Sequence, residues 1–206
     1  KKCIVVENFV KYSDFENEIE NKNKDFLFVG RLSKEKGFFD LIEAVKFLKK
    51  KEIFCQIQII GVAPNEDVDK EIIEIISKYN LKDYFIFNGA TFGEAKNNLF
   101  KQTRCLIFSS HFENSPVVLK EAIAAKMSIL SSDIHANENI LQRRNNYLSF
   151  QVSNNNDLAL KMSYLISNPE KVLKMCQDSA SINDYDSIVA KNSMLDLFNT
   201  LTNREK

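Results

Sequence analysis

Continuous apolar runs mark the strands of a buried sheet. Residues 26–30 (FLFVG) and 105–108 (CLIF) are apolar throughout and do not alternate with polar residues. A strand that is covered on both faces has such a run, whereas a strand with one solvated face alternates. We predict further strands over five other short apolar segments, at residues 3–7, 56–61, 85–88, 127–131 and 147–150.

Between these strands the apolar residues recur at helical spacing. Over residues 38–50 they fall on one helical face, at Phe38, Leu41, Ile42, Val45 and Leu48. Residues 68–79 predict a second helix with four isoleucines turned inward: Ile72, Ile73, Ile75 and Ile76. Further helices are predicted over residues 92–102, 137–144, 155–166 and 184–201, and another starts at Pro169 after an N-cap at Asn168.

Strands that alternate with helices through short connections predict an α/β fold with a doubly wound parallel sheet. We see no internal repeat and no internal boundary, so residues 1–206 are predicted to form a single domain, with about 151–206 as additional C-terminal helices. In such a sheet ligands bind beyond the carboxyl ends of the strands, at a topological switch point.

Composition then narrows the classes of function. A net charge of +0 and a sequence pI of about 6.9 give no field that favours nucleic acid, so we expect no nucleic-acid partner. No apolar run is long enough for a membrane span, and the first residues lack a signal-peptide cleavage site. The four cysteines and two histidines are too dispersed for a zinc site, so we expect no metal and a reduced, cytoplasmic environment.

The candidate chemistry centres on residues 109–133. Glu113 follows a predicted strand, Ser115 and Pro116 suit the N-cap and first position of a helix, and Glu121 lies on that helix. A helix N-terminus binds anions, and flanking carboxylates accept hydrogen bonds from hydroxyls. A ligand that has both phosphates and hydroxyls, such as a nucleotide sugar, explains the combination. The alternative is that Glu113 and Glu121 are ordinary solvated acids.

A basic loop follows the strand at residues 26–30. Arg31 and Lys36 bracket it, and Gly37 leads into the next helix, so that two cations and a helix N-terminus could neutralise a diphosphate. The alternative is a solvated, lysine-rich loop. The glycine fingerprints of dinucleotide-binding and ATPase loops are absent from the sequence.

Taken together these features resemble the C-terminal, donor-binding half of retaining GT-B glycosyltransferases, the glycosyltransferase group 1 family. The order and spacing match over residues 1–150, in segments 5–10 (VVENFV), 28–44 (FVGRLSKEKGFFDLIEA), 57–61 (IQIIG), 85–89 (FIFNG), 109–124 (SSHFENSPVVLKEAIA), 128–133 (SILSSD) and 137–140 (NENI). The resemblance implies a Rossmann-like sheet, one half of a GT-B fold.

The resemblance also implies roles for residues. Arg31 and Lys36 would bind the donor diphosphate and Glu113 the sugar hydroxyls, and these three are the implied catalytic residues. Glu121 would bind the ribose hydroxyls. The other implied substrate-binding residues are Gly30, Gly61, Asn88, Gly89, Asn114, Ser115, Pro116, Val117 and Val118. No cofactor is implied, because the nucleotide-diphosphate sugar, with UDP favoured by family frequency, is the donor substrate.

The implied activity is transfer of a hexose-type sugar to a glycan or lipid acceptor in bacterial surface polysaccharide or lipopolysaccharide synthesis. A complete enzyme has a second, N-terminal domain for the acceptor, which this chain lacks, so the chain is expected to be inactive alone. The full-length protein would be cytoplasmic, with the inner face of the membrane as an alternative location. Without the other domain, five apolar residues near the end are expected to lie partly exposed or to pair with another copy: Ile188, Val189, Leu195, Phe198 and Leu201.

The sequence departs from the family at three places. Asn114-Ser115-Pro116 replaces a glycine-containing turn, Lys126 stands where a glycine is usual, and His135-Ala136 replaces Gly-Gly. His111 and His135 could approach the site, although a loop histidine is more often a surface residue. Two competing hypotheses are a non-catalytic module of the same fold, which binds nucleotide or a partner protein, and a dinucleotide-dependent oxidoreductase domain, which the missing glycines disfavour.

Overall fold

A computed structural model describes residues 8–16, 18–179, 185–188, 191–192, 194–195 and 198. The strands are β1 (Lys24–Val29), β2 (Ile57–Ile60), β3 (Phe85–Phe87), β4 (Thr103–Phe108), β5 (Ser128–Ser132) and β6 (Tyr147–Phe150). The helices are α1 (Phe38–Lys50), α2 (Glu66–Lys78), α3 (Gly93–Gln102), α4 (Val117–Ala124), α5 (His135–Leu141), α6 (Asn155–Ser167) and α7 (Pro169–Ser179). Short 3-10 turns occupy Tyr12–Phe15, Ile19–Asn21 and Lys82–Tyr84.

The six strands form one parallel sheet in the order β3-β2-β1-β4-β5-β6. Phe28 in β1 is paired with Ile59 in β2 on one side and with Ile107 in β4 on the other. The chain therefore winds outward in both directions from β1 and β4, which confirms the doubly wound, Rossmann-like prediction. Between these two strands lies the switch point at which such sheets bind ligands.

Both faces of the sheet are buried, which explains the continuous apolar runs. Phe26 and Phe28 belong to a core with the apolar face of α1 and with α2, α6 and α7, whereas Leu27 points into a second core with α3, α4 and α5. The predicted inward face of α1 is buried throughout. Successive side chains of one strand thus fill two different cores.

The structure of α2 corrects the prediction that its four isoleucines all face inward. Ile72 and Ile76 of α2 are buried, but Ile73 is 59% exposed and Ile75 only partly buried. Residues at i and i+4 share a helical face, while a neighbour along the chain is rotated by about 100°. Four isoleucines at these positions cannot all face inward.

Two predicted elements fall wholly or partly outside the described residues. The predicted strand at 3–7 lies outside them, as do Val189 and Leu201 of the predicted last helix. The described residues from 187 onward are helical, and Ile188, Leu195 and Phe198 are exposed, as expected. None of the helices in the described part of the chain is long and apolar enough to cross a membrane.

The segment before β1 contains a buried lysine that caps a helix. Lys22 is 3% exposed, and its Nζ donates to the carbonyls of Phe100, Lys101 and Thr103 at 3.1, 3.2 and 2.8 Å. The last carbonyls of a helix lack partners within it, and a cation interacts favourably with that end. Lys22 therefore fixes the C-terminus of α3 beneath the sheet.

Lys22 gives a prediction for stability at alkaline pH. Burial, which removes the ammonium group from water, lowers the pKa of Lys22 from 10.5 to about 8. Between pH 8 and 10.5 Lys22 is largely protonated in the unfolded chain but not in the folded one, so the free energy of unfolding rises with pH. Below pH 8 Lys22 is protonated in both states, and the cost of burying its charge lowers the free energy of unfolding in full. Relative to Lys22→Met, the wild type should gain up to about 3 kcal/mol across this window in urea titrations. A flat difference in the free energy of unfolding between the wild type and Lys22→Met across this window would contradict the lowered pKa of Lys22.

Candidate functional site

The loops that follow β1 and β4 meet at the switch point. The backbone N–H of His111 donates to the Glu35 carbonyl at 2.9 Å, and Ser109 Oγ donates to the Gly37 carbonyl at 3.0 Å. His111 Nε2 also lies 2.5 Å from Asp40 Oδ2, in the first turn of α1. The basic loop and the segment that carries Glu113 are therefore one hydrogen-bonded unit.

Gly37 is required by this close approach. Its φ is +66°, and a Cβ at this position would lie 2.0 Å from the Ser109 carbonyl oxygen. Glycine is the residue that accepts both this backbone conformation and the contact without strain. The loop can thus place Lys36 directly beside β4.

Lys36 and Glu113 form an ion pair at the centre of the site. Lys36 Nζ donates to Glu113 Oε1 at 2.6 Å, and Ser110 Oγ donates to the same oxygen at 2.8 Å. Both charged side chains are largely buried. The structure therefore brings together two of the three residues that the family resemblance implies as catalytic.

Arg31, the third, stands apart in this structure. It is exposed, and its side chain makes no hydrogen bond or salt bridge with any residue among those described.

The helix after Glu113 begins one residue later than predicted. Pro116 has an extended backbone (φ −70°, ψ 109°), α4 starts at Val117, and no side chain caps its N-terminus. Ser115 is therefore not the N-cap; its Oγ accepts a hydrogen bond from Lys120 Nζ at 3.3 Å instead. The first N–H groups of α4 belong to Val117 and Val118, while Asn114 is exposed beside them. These N–H groups have no acceptor within the helix itself.

A second ion pair flanks the same helix. Glu121 on α4 is 8% exposed, and its Oε1 lies 2.5 Å from Lys96 Nζ on α3. Lys96 was not identified from the sequence, in which it is one of two lysines on the polar helix α3. Its partner lies 25 residues away on another element, so only the packing of α3 beside α4 reveals it.

Three glycines adjoin the site at the ends of β1, β2 and β3. The backbone N–H of Gly61 donates to the Gly89 carbonyl at 2.8 Å, and a Cβ on Gly61 would lie 1.8 Å from the Gly30 carbonyl oxygen. Beside them opens an apolar cavity of about 610 Å³, lined by residues that include Leu32, Val62, Ile72, Ile73 and Phe87. Asn88 is turned toward the sheet, where its Nδ2 donates to Gln58 Oε1 at 3.2 Å.

A buried polar network supports the Glu113 segment from the other side. Asn137 Nδ2 donates to Ser131 Oγ at 2.9 Å and to the Ser132 carbonyl at 3.2 Å. Ser132 Oγ in turn donates to the Ser110 carbonyl at 2.6 Å. The other histidine, His135, pairs at 3.2 Å with Asn139 of its own helix. Within the described residues, no group of three or more His, Cys, Asp and Glu side chains is arranged to hold a metal ion.

Comparison with known proteins gives one family. The family model described as "Glycosyl transferases group 1" matches residues 10–181. An uncharacterized glycosyltransferase of Methanocaldococcus jannaschii is 29% identical over 123 residues, which are 57% of this chain and 29% of that protein. The alpha-D-kanosaminyltransferase of Streptomyces kanamyceticus is 22% identical over 157 residues, which are 76% of this chain and 40% of that enzyme.

Solved structures share the fold. Anabaena HepE in complex with UDP and glucose superposes with a TM-score of 0.81 at 15% identity, over 95% of this chain and 56% of that one. The C-terminal domain of the group 1 glycosyl transferase LpcC from Francisella tularensis gives 0.70 at 24% identity, over 82% of this chain and 94% of that domain. The chain thus spans 29% and 40% of the two curated relatives and just over half of the HepE chain.

Proposed function

The chain belongs to the glycosyl transferases group 1 family, with the sheet of a GT-B glycosyltransferase, and from that premise we propose that it is the donor-binding half of a retaining enzyme. In this proposal the enzyme moves a hexose-type sugar from a nucleotide-diphosphate donor to a glycan or lipid acceptor. The observation that carries the proposal is the pair of lysine–glutamate contacts that flank the N-terminus of α4 at the switch point.

These contacts fit a ligand that carries both anionic and hydroxyl groups. A diphosphate at the N-terminus of α4 would attract Lys36 and Arg31 and meet the N–H groups of Val117 and Val118. Glu113, released from Lys36, would then accept hydrogen bonds from the sugar hydroxyls. A site for a bare phosphate would gain nothing from a carboxylate at this place, because the two charges repel.

Glu121 is proposed to bind the ribose. Lys96 holds Oε1 of this carboxylate, which fixes its orientation beside the apolar interior. The base would lie beyond the ribose, where Gly61 and Gly89 border the apolar cavity and Asn88 adjoins Gly89 in the chain. UDP is the preferred nucleotide in this proposal, because HepE of the same fold has been crystallised with UDP and with UDP-glucose.

The proposed catalysis is electrostatic. Negative charge develops on the β-phosphate as the glycosyl bond breaks, and preorganised positive groups lower the energy of that transition state. Lys36, Arg31 and the N-terminus of α4 would stabilise the departing nucleoside diphosphate, while Glu113 would hold the sugar that is transferred to the acceptor. Each of these groups follows the carboxyl end of β1 or β4.

The acceptor is assigned to a separate N-terminal domain. The chain spans 56% of the HepE chain and 94% of the C-terminal domain of LpcC, which supports a two-domain complete enzyme. We propose that this enzyme acts at the cytoplasmic side of a bacterial membrane in surface polysaccharide or lipopolysaccharide synthesis. The 206-residue chain alone should bind nucleotide and transfer no sugar; measurable transfer by this chain would overturn that division of roles.

A ligand titration tests the proposal. Thermal shift and calorimetry with UDP, GDP and ADP should identify one nucleotide that binds, and a ligand at about 100 times its dissociation constant should stabilise the folded chain by roughly 2.7 kcal/mol. If all three fail to bind, the non-catalytic module becomes the better hypothesis.

Glu121→Ala gives the matching variant prediction. It should weaken binding of the preferred nucleotide by about tenfold or more, because a charged hydrogen-bond acceptor is lost. It should also remove the preference for the ribonucleotide over its 2′,3′-dideoxy analogue. Glu94→Ala, which removes an exposed glutamate of α3, is the control. Equal affinities for the wild type and Glu121→Ala would contradict the ribose assignment.

A further inference from the structure

The N-terminus of α4 lacks the side-chain cap that usually fixes such a helix end. Pro116 has no N–H, so the turn before α4 must be held in another way. Among the described residues, Asn8 and also Lys120 of α4 itself hold Ser115 instead. Asn8 Nδ2 donates to its carbonyl at 3.4 Å, and Lys120 Nζ donates to its hydroxyl oxygen at 3.3 Å.

Lys120 is fully buried. Its Nζ also donates to the Asn8 carbonyl at 2.8 Å, and it lies 4.6 Å from the centre of the Tyr185 ring. An ammonium group is expensive to bury unless hydrogen-bond acceptors and aromatic faces surround it and stabilise the charge. Lys120 therefore joins the turn before α4 to residues at both ends of the described chain.

These two end segments are also joined to each other. The Val10 N–H donates to the Tyr185 carbonyl and the Ser187 N–H donates to the Val10 carbonyl, both at 2.9 Å, which forms a parallel bridge between Val10 and Asp186. Segment 8–10 consequently lies between segment 185–187 and the turn at Ser115. Segment 8–10 leads into the region that matches the family model, residues 10–181, and segment 185–187 follows it.

We propose that Lys120 is a positioning residue that couples segments 8–10 and 185–187 to the donor loop, residues 113–116. The inference rests on the proposed function, because the loop matters to catalysis only if a donor phosphate binds at α4. A displacement of either segment moves Asn8 or Tyr185, changes the hydrogen bonds to Ser115, and alters how α4 presents its first N–H groups. Movement at the ends of the domain thereby adjusts donor affinity.

The test compares Lys120→Met with Arg144→Met. Methionine keeps the apolar stem of lysine and removes the ammonium group. Arg144 packs 5.6 Å from the same Tyr185 ring and donates to the Ile140 carbonyl, so its variant disturbs the ring but keeps the lysine at Ser115. Asn8→Ala, at an exposed residue, removes the other donor to Ser115 without a buried change.

Two measurements distinguish the proposed coupling through Lys120 from the proposed binding of a nucleotide. Amide hydrogen exchange of residues 112–119 should accelerate about tenfold or more in Lys120→Met, less in Asn8→Ala, and remain at the wild-type rate in Arg144→Met. The dissociation constant for UDP should rise about tenfold in Lys120→Met and stay within about twofold in Arg144→Met.

Unchanged exchange of residues 112–119 in both Lys120→Met and Asn8→Ala would overturn the coupling, as would an equal effect of Lys120→Met and Arg144→Met. If the wild type binds no UDP, GDP or ADP, the proposed function is overturned, and the exchange rates alone decide whether Lys120 positions the loop. Urea titration of each variant shows whether it is folded before exchange is interpreted.

Discussion

Replacing Gly37 with alanine is expected to lower the free energy of unfolding by about 3 kcal/mol or more and to abolish nucleotide binding. The added Cβ would lie 2.0 Å from the Ser109 carbonyl oxygen and 2.7 Å from its carbonyl carbon. Both are backbone atoms at the end of the central strand β4, so neither can rotate away as a side chain would. Urea titration and calorimetry with UDP measure the two effects.

Gly93→Ala is the matched control for this substitution. Gly93 has a similar φ, +57° against +66°, but a Cβ there would meet nothing within 4 Å. Its replacement should therefore cost only the strain of the left-handed backbone, about 1 kcal/mol. Equal losses of unfolding free energy in the two variants would show that Gly37 contributes only its backbone conformation. The close contact between the loops that follow β1 and β4 would then not require a glycine.

The second large effect is expected at Lys36. Lys36→Met should weaken binding of a nucleoside diphosphate about 30-fold, because a charged hydrogen bond in a partly buried site contributes about 2 kcal/mol. Stability should change by only about 1 kcal/mol, since water still reaches both side chains of the Lys36–Glu113 pair. Binding of the nucleoside without phosphates should not change, and calorimetry with uridine and UDP separates the two contributions.

Lys34→Met provides the comparison on the same loop. Lys34 is exposed and lies over the Phe39 ring at 5.6 Å, two residues from Lys36. Its loss should reduce UDP affinity only slightly, and raised salt should remove that small effect because exposed charges are screened. If both lysine variants bind UDP equally well, the pair at β4 is a structural contact and the diphosphate binds elsewhere.

The local patterns predicted the fold well because the sheet is buried on both faces. Residues 38–50 form α1 with the predicted bounds, and residues 147–150 form β6, since each is a short element with a clear apolar pattern. The parallel, doubly wound arrangement of the sheet followed from the alternation of strand and helix, which leaves few topologies. The prediction that Ile73 faces inward was wrong, because four isoleucines at closely spaced positions do not define one helical face.

The charged partners of the site could not be predicted in the same way. Lys22, Lys96 and Lys120 look like ordinary surface lysines in the sequence, yet each donates to a group on a distant segment. The sequence separations of these contacts run from 25 to 112 residues, so only the packed fold brings the groups together. The family resemblance pointed to Lys36 and Glu113 as site residues, but it did not predict their direct contact.

Chemical-shift mapping of the labelled chain with UDP tests the central claim most directly. If the switch point between β1 and β4 binds the donor, saturable shifts should appear at the amides of Lys36, Gly37, Glu113, Val117 and Val118. Shifts should also appear near Gly61 and Gly89, where the base is assigned. Saturable shifts confined to another surface, or none at millimolar UDP, GDP and ADP, would contradict the account.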